Sequence, residues 1–351
     1  MSPAASVPSA AQRLAGLTLD NGWKVLRLME PSPVATGGCF SSGYEVESAS
    51  GSKAYLKALD YSRALRSPDP AQALNAMTAA FIFERDLLNR CGERRLSRIV
   101  TAITSGKIIL DNDPSGGLVE YLIFERADGD IRQQMSDVAA FDLRWRLLCL
   151  RHIATALRQL HGEFIAHQDL KPSNVLVFER DSKLADLGRA ACRGLTPPHE
   201  TLNVPGDPSY APPELLYGFL SPEWALRRLG CDVYLFGSML VWFFTGLGTT
   251  ALAVAALHES HRPTVWRGTY ADVLPYVREA FGQVLLHFRH EVPPALADRL
   301  TRILEELCDP DPTLRGHPRD RTRSGNQFSL ERYITEFDLL AARVQYGISR
   351  N

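Results

Sequence analysis

The chain has 351 residues, of which 45% are hydrophobic, and a formal net charge of −1 at pH 7. This length is sufficient for one large domain or two medium ones, and the near-zero charge argues against a nucleic-acid partner or a strongly acidic one. The six cysteines are scattered without a Cys-x-x-Cys pair, which fits neither a disulfide framework nor a zinc site and favours a reducing, cytoplasmic compartment.

The beginning of the chain predicts a leader followed by short strands. Residues 1–20 are expected to form a disordered leader, because the first 16 residues are rich in Ala, Ser and Pro and lack the features of a secretory signal. Short β-prone runs separated by Gly and Ser then predict an antiparallel meander: 23–28, 44–47 and 54–59.

A helix and two further β-rich stretches complete this first part. Apolar residues recur at helical spacing over 71–90, and β-rich sequence follows at 97–110 and 118–124. From residue 139 onward the pattern becomes helical, starting with one long amphipathic helix that reaches Leu160. The sequence therefore predicts an α+β fold with a small β-rich lobe, which carries one main helix, and a larger helical lobe.

One uncharged segment is long enough to span a bilayer. It covers residues 233–257, but glycines and threonines interrupt it and Asp232 precedes it. We therefore expect a buried core helix that ends near Gly246, and no membrane span.

The most informative stretch is His167-Gln168-Asp169-Leu170-Lys171-Pro172-Ser173-Asn174, followed by Asp186-Leu187-Gly188. Phosphoryl transfer from ATP depends mainly on positioning and charge neutralisation, which this set can provide. Asp169 can accept the proton of a substrate hydroxyl, and Lys171 can neutralise charge on the transferred group. Asn174 and Asp186 offer the oxygen ligands that Mg²⁺ prefers.

These motifs resemble the catalytic loop and metal-binding turn of the eukaryotic-type (Hanks-type) serine/threonine protein kinases, His-Arg-Asp-Leu-x-x-x-Asn and Asp-Phe-Gly. Gln168 replaces the Arg, and Leu187 replaces the Phe. The resemblance implies a bilobal fold, ATP and Mg²⁺ as cofactors, and a protein substrate with a Ser or Thr hydroxyl. The expected divisions are an N-lobe at 21–125, a C-lobe at 126–318 and a tail with an amphipathic helix at 319–351. With 6 Lys against 33 Arg, the composition suggests a GC-rich genome and a stand-alone bacterial member of the family.

Lys57, on the third strand of the meander, matches the family lysine that contacts the α- and β-phosphates of ATP. The resemblance implies that this lysine pairs with a glutamate on the main N-lobe helix, and Glu84 is the candidate. The gap between the two is longer than usual for the family, and residues 61–70 could be the insertion.

The glycine-rich loop is the weakest match to the family pattern Gly-x-Gly-x-x-Gly-x-Val. Its residues that would bind nucleotide are Gly37, Gly38, Phe40, Ser41 and Gly43. In the preferred alignment, Phe40 takes the tip of the loop, Ser41 takes the third glycine and Gly43 takes the valine that covers adenine.

The resemblance also assigns the walls of the adenine pocket. Tyr55 stands where the family has an alanine, and its ring could compensate in volume for the valine lost at Gly43. Phe124 would guard the rear of the pocket. Backbone groups near Glu125 and Ala127 would hydrogen-bond adenine.

The segment 186–214, which ends in Tyr210-Ala211-Pro212-Pro213-Glu214, resembles a kinase activation segment, and Arg315 matches the late arginine that pairs with its glutamate. The usual Arg at position 168 binds a phosphate on this segment. Because Gln168 lacks that charge, we expect activity to depend weakly on phosphorylation of the segment. In the tail, Ser329 can cap a helix that docks on the helical lobe with Leu330, Ile334, Phe337, Ala341 and Val344 on one face.

Two alternatives stay open from the sequence. A pseudokinase-like nucleotide-binding scaffold is favoured only by the altered glycine loop and Tyr55. A small-molecule kinase of the aminoglycoside or choline type shares the catalytic Asp and metal ligands, but lacks a long activation segment with a later Arg partner.

Overall fold

The computed structural model of the protein describes residues 8–29, 41–110, 117–137, 142–322 and 327–347. The chain divides into two compact units, Met1–Arg95 with Ile99–Asp128 and Leu96–Arg98 with Gly129–Asn351. The division after Asp128 falls slightly beyond the predicted boundary at 125/126, and the short stretch Leu96–Arg98 belongs to the second unit.

The first unit is built on an antiparallel sheet. Its strands are β1 (Lys24–Leu28), β2 (Ser41–Glu47), β3 (Lys53–Leu59), β4 (Ala102–Ile109) and β5 (Leu118–Glu125). Their order across the sheet is β1–β2–β3–β5–β4. The first three strands form the predicted meander, because β1 pairs antiparallel with β2 and β2 pairs antiparallel with β3.

One face of this sheet is apolar and packs against the residues that precede β1. Tyr44 and Leu56 are fully buried on this face, together with Leu14 from the N-terminal segment. The Tyr44 hydroxyl donates to the Ala11 carbonyl at 2.7 Å and accepts from the Leu14 N–H at 3.3 Å. The structure therefore differs from the expected disordered leader over residues 8–20, because their few apolar side chains cover the sheet.

The main helix of the first unit, α1 (Pro70–Glu93), contains the predicted helical stretch. Asp69 caps it by accepting a hydrogen bond from the Gln72 N–H at 3.0 Å, and Pro70 fits the first turn because that turn needs no N–H donor. A 3-10 turn, Ala64–Arg66, lies inside the predicted insertion between β3 and α1.

The second unit is mainly helical. Its helices are α2 (Ile131–Asp137), α3 (Leu143–Gly162), α4 (Pro213–Leu216), α5 (Gly230–Thr245), α6 (Thr249–Ala256), α7 (Tyr270–Glu291), α8 (Pro294–Cys308), α9 (Pro318–Arg321) and α10 (Glu331–Gln345). Its short strands are β6 (Gly129–Asp130), β7 (Ile165–Ala166), β8 (Val175–Phe178), β9 (Asp181–Leu184) and β10 (Ala191–Cys192). The hairpin β8–β9 pairs with β6, and β7 pairs with β10. These strands flank the loops that carry the catalytic motif.

The uncharged segment forms a core helix that ends near Gly246, as predicted, and a second helix, α6, follows it. Helix α5 ends at Thr245, and Gly246 follows in the left-handed conformation (φ 76°) that a helix C-terminus favours for glycine. Nearly all of α5 is buried in the second unit. Among the described residues, no single helix meets the length and hydropathy requirements of a membrane span. A π-helical turn, Ala225–Leu229, directly precedes α5. The combined helix Ala225–Thr245 meets these requirements only together with Thr249–Ala256, across a bend of 81°.

The tail helix α10 packs against α3 of the same unit. Leu330, Phe337 and Ala341 are buried as predicted, and Tyr333 and Leu340 are buried with them. The predicted cap at Ser329 is wrong, because Leu330 occupies the cap position without a side-chain hydrogen bond.

Candidate active site

Lys57, in the middle of β3, forms an ion pair with Glu84 of α1. The Lys57 Nζ atom lies 2.9 Å from Glu84 Oε1 and 3.0 Å from Oε2. Glu84 is only 5% exposed, and a buried carboxylate needs such a partner because its charge has lost water. The long gap in sequence therefore leaves the expected pairing geometry intact.

The face of the sheet that carries Lys57 also carries Tyr55 and Phe124. These two residues are directly opposite each other in the β3–β5 ladder, and their ring centroids are 6.5 Å apart. A Cβ atom added to Gly43 would lie 2.6 Å from Tyr55 Oη and 2.9 Å from Tyr55 Cε2. The Tyr55 ring thus fills the space that a side chain at Gly43 would need.

Part of the predicted nucleotide site falls on residues outside the described ranges: Gly37, Gly38 and Phe40. Ser41 and Gly43 belong to β2, where Gly43 is the direct partner of Lys57 in the ladder. This register places the conformationally free position 43 beside the lysine that would contact phosphate.

The predicted hinge begins at Glu125, the last residue of β5. Phe124 is buried at 8% exposure, and Glu125 is tied to Thr101 by two hydrogen bonds, one from each backbone N–H. Ala127 comes after the end of β5 and is half-buried, outside the strand ladder.

The catalytic loop lies between β7 and β8 and centres on Asp169, which is 7% exposed. Lys171 Nζ lies 3.2 Å from Asp169 Oδ2, and the Asp207 N–H donates to Asp169 Oδ1 at 2.8 Å. The Asn174 amide nitrogen donates to the Asp169 carbonyl at 2.8 Å. Burial raises the pKa of Asp169 above its ordinary value, and the Asp186 charge adds to that rise while Lys171 opposes it.

Asn174 and Asp186 are brought together by the chain around the β8–β9 hairpin. The Ala185 N–H donates to the Asn174 carbonyl at 2.9 Å, so Asp186 follows directly beside that position. Asp186 has a left-handed backbone (φ 63°), which is strained for a residue other than glycine and is held by its surroundings. Because the Asn174 Nδ2 atom is engaged with Asp169, its Oδ1 atom points away from that contact.

The side chains of Asn174 and Asp186 fit a magnesium ion whose other ligands come from outside the protein, for example from nucleotide phosphates. Amide and carboxylate oxygens are hard donors, and Mg²⁺ in proteins commonly takes one or two carboxylates together with substrate phosphates. In the described part of the chain, no group of three or more His, Cys, Asp or Glu side chains could hold a metal by itself. Phosphate oxygens and water would complete the coordination.

Asp232, at the start of α5, holds the catalytic loop from beneath. It is fully buried and accepts the backbone N–H groups of His167 at 2.7 Å and Gln168 at 2.8 Å, and it contacts His161 Nε2 at 2.9 Å. Burial alone would raise the pKa of Asp232, but His161, His167 and the Gln168 N–H together keep it below its ordinary value. These bonds also secure the left-handed backbone of Gln168 (φ 65°) next to Asp169.

Sequence reasoning missed three contacts of the activation segment. Asp207 lies against the catalytic loop, with its carboxylate 3.6 Å from Lys171 Nζ. Glu200 pairs with Arg227 and Arg228, which precede α5. Residues so far apart along the chain show no spacing pattern that would predict these contacts. The two adjacent arginines, Arg227 and Arg228, were the only feature of the sequence that pointed to an anion-binding position.

The glutamate that ends the activation segment forms the predicted pair with the late arginine. Arg315 donates to both carboxylate oxygens of Glu214, at 2.7 and 2.9 Å. Arg315 is fully buried, and Glu214 is 4% exposed. The pair therefore fixes the end of the segment inside the helical unit.

Comparison with known proteins supports the resemblance to protein kinases that the sequence motifs indicate. The protein kinase domain family model matches residues 70–320, beginning at α1 and so after Lys57. The chain is 33% identical over 129 residues to a serine/threonine-protein kinase of Drosophila persimilis. This alignment covers 34% of this chain and 16% of that protein. It is 39% identical over 94 residues to the serine/threonine-protein kinase AfsK of Streptomyces coelicolor (27% of this chain, 11% of AfsK).

A third relative, the serine/threonine-protein kinase PkaA of Streptomyces coelicolor, is 28% identical over 195 residues. That alignment covers 52% of this chain and 32% of PkaA. The matched part of the chain thus corresponds to less than a third of each of these three relatives. The family match extends over more than half of the chain, and the sheet unit, the helical unit and the kinase motifs agree with it. The chain therefore belongs to the Hanks-type serine/threonine protein kinase family.

Proposed function

We propose that the protein is an ATP- and Mg²⁺-dependent serine/threonine protein kinase, which transfers the γ-phosphoryl group in line to a hydroxyl of a protein substrate. The observation that carries this proposal is the buried carboxylate of Asp169, held by Lys171 and by the backbone N–H of Asp207. A fixed carboxylate beside a fixed ammonium group is what a reaction catalysed by positioning and charge neutralisation requires.

The roles follow from the contacts of each group. Asp169 accepts the proton of the attacking hydroxyl, and its raised pKa makes it a better proton acceptor than a free carboxylate. Lys171 remains close enough to offset negative charge that develops on the transferred group. Asn174 and Asp186 would hold Mg²⁺, which neutralises phosphate charge when it is bound.

The first unit contributes nucleotide binding. Glu84 orients the ammonium group of Lys57, which would bind the α- and β-phosphates. Phe124 and Tyr55 would line the adenine site, and backbone groups near Glu125 and Ala127 would read the base edge.

The test is incorporation of label from γ-labelled ATP into the protein itself and into a generic protein substrate, with Mg²⁺ and with a chelator. We expect incorporation on serine or threonine that requires the metal. Nucleotide binding without any transfer would indicate a nucleotide-binding scaffold, and transfer only to small molecules would indicate a small-molecule kinase. Either result would overturn the proposal.

A second prediction concerns the volume shared by Gly43 and Tyr55. Gly43→Val alone should force the Tyr55 ring to move, and Tyr55→Ala alone should leave a void, so each should weaken ATP binding by about 1–3 kcal/mol. The double variant should recover most of the loss, because the valine then occupies the vacated space. Nucleotide titration of the four proteins measures the coupling, and additive effects of the two changes would contradict it.

A further inference from the structure

Glu200, within the activation segment, binds two neighbouring arginines. Arg227 Nη1 lies 2.7 Å from Glu200 Oε1, and Arg228 Nη2 lies 2.5 Å from Glu200 Oε2. Arg227 also donates to the Glu200 backbone carbonyl at 3.2 Å. Both carboxylate oxygens and the carbonyl of one residue are thus engaged by the same pair of guanidinium groups.

Because this ion pair is partly buried, losing it should destabilise the protein more than losing an ordinary surface ion pair. Arg228 is only 3% exposed, whereas the Glu200 side chain is 38% exposed. A buried guanidinium group needs an anion nearby, since removing one partner leaves its charge without compensation. The surroundings already disfavour further positive charge. Burial and the charges of Arg189 and Arg228 lower the pKa of the neighbouring His199 to about 4.

The arginine that Glu200 neutralises also contacts the catalytic loop. The Gln168 amide nitrogen donates to the Arg228 carbonyl at 2.9 Å, and Arg228 Nη1 donates to Gln168 Oε1 at 3.2 Å. Gln168 is 2% exposed and immediately precedes Asp169. A continuous set of hydrogen bonds therefore leads from Glu200 through Arg228 to the residue beside the catalytic carboxylate.

The same segment meets the catalytic loop again a few residues later. A Cβ atom on Gly206 would lie 2.4 Å from the Gln168 carbonyl oxygen and 2.7 Å from Asp169 Oδ1, so only glycine permits this close approach. The following N–H, of Asp207, donates to Asp169. Ordering of the segment by Glu200 thus bears directly on the position of Asp169.

We propose that Glu200 is a positioning residue whose carboxylate orders the activation segment through Arg227 and Arg228, so that the segment needs no phosphate for the competent arrangement. This inference rests on the proposed kinase function for its activity readout. It gives a physical reason why Gln168 can stand where relatives use a phosphate-binding arginine: the buried cation is Arg228, and its anion is part of the chain.

The test compares Glu200→Gln, which keeps the shape and removes the charge, with Glu200→Asp, which keeps the charge. Exposed Glu223→Gln is the matched control. We expect Glu200→Gln to lower the phosphotransfer rate about tenfold, since charge-assisted hydrogen bonds are lost at a partly screened site. It should also speed trypsin cleavage at the exposed Arg189 and Arg193 of the segment.

Glu200→Asp should recover a substantial part of both properties, Glu223→Gln should match the wild type, and phosphatase treatment should leave the wild-type rate unchanged. The proposal is overturned if Glu200→Gln behaves as the wild type in both assays, if Glu200→Asp is equally defective, or if phosphatase abolishes wild-type activity. The trypsin cleavage assay does not depend on phosphoryl transfer by the protein. A wild-type protein that transfers no phosphate would therefore refute the kinase function and still allow the role of Glu200 to be tested.

Discussion

Replacing Asp169 by asparagine is expected to lower the rate of phosphoryl transfer about 10²–10⁴-fold, the usual contribution of a positioned general base. The asparagine cannot accept the substrate proton as a carboxylate does. It also places an amide near Lys171 Nζ and the Asn174 amide nitrogen, which both approach Asp169 Oδ2 in the wild type. Transfer of label from ATP at saturating nucleotide measures this loss.

The control for this variant is Asp338→Asn. Asp338, like Asp169, forms an ion pair, with Arg151 at 3.1 Å, but its side chain is 58% exposed on the tail helix. The control should keep the wild-type rate, and thermal unfolding should show both variants folded. An Asp169→Asn protein that is folded and fully active would rule out Asp169 as the base.

The residues of the catalytic-loop motif were predictable because they are close together in the sequence. Asp169, Lys171 and Asn174 fall within one loop, so that the spacing along the chain already constrains their distance in space. Lys57 and Glu84 are far apart, and their pairing followed only from the family resemblance and the order of the elements. The structure places them in contact at 2.9 Å.

What sequence could not predict depends on tertiary contacts between distant segments. The N-terminal segment looks disordered by composition, yet Leu14 and Leu19 are buried, because a sheet face was available to cover them. The pairing of Glu200 with Arg228 has the same origin. Neither residue belongs to a motif, and only the folded chain brings the activation segment next to the start of α5.

The buried pair of Arg315 and Glu214 should show the largest effect on stability. Arg315→Met is expected to lower the free energy of unfolding by about 3–5 kcal/mol, because it leaves a buried carboxylate without its cation. The guanidinium group also donates to the carbonyls of Asp309 at 2.9 Å and Gly230 at 3.1 Å, and these acceptors lose their partner as well. Urea or thermal unfolding measures the change.

Two comparisons separate burial from charge pairing as such. The pair of Arg158 and Glu331 is similarly close at 2.9 Å, but its side chains are 46% and 63% exposed, so Arg158→Met should cost no more than about 1 kcal/mol. The double variant Arg315→Met/Glu214→Gln should be more stable than Arg315→Met alone, because no uncompensated charge remains inside. Equal losses for Arg315→Met and Arg158→Met would mean that the interior around Glu214 admits water. The end of the activation segment would then be held by packing and not by this ion pair.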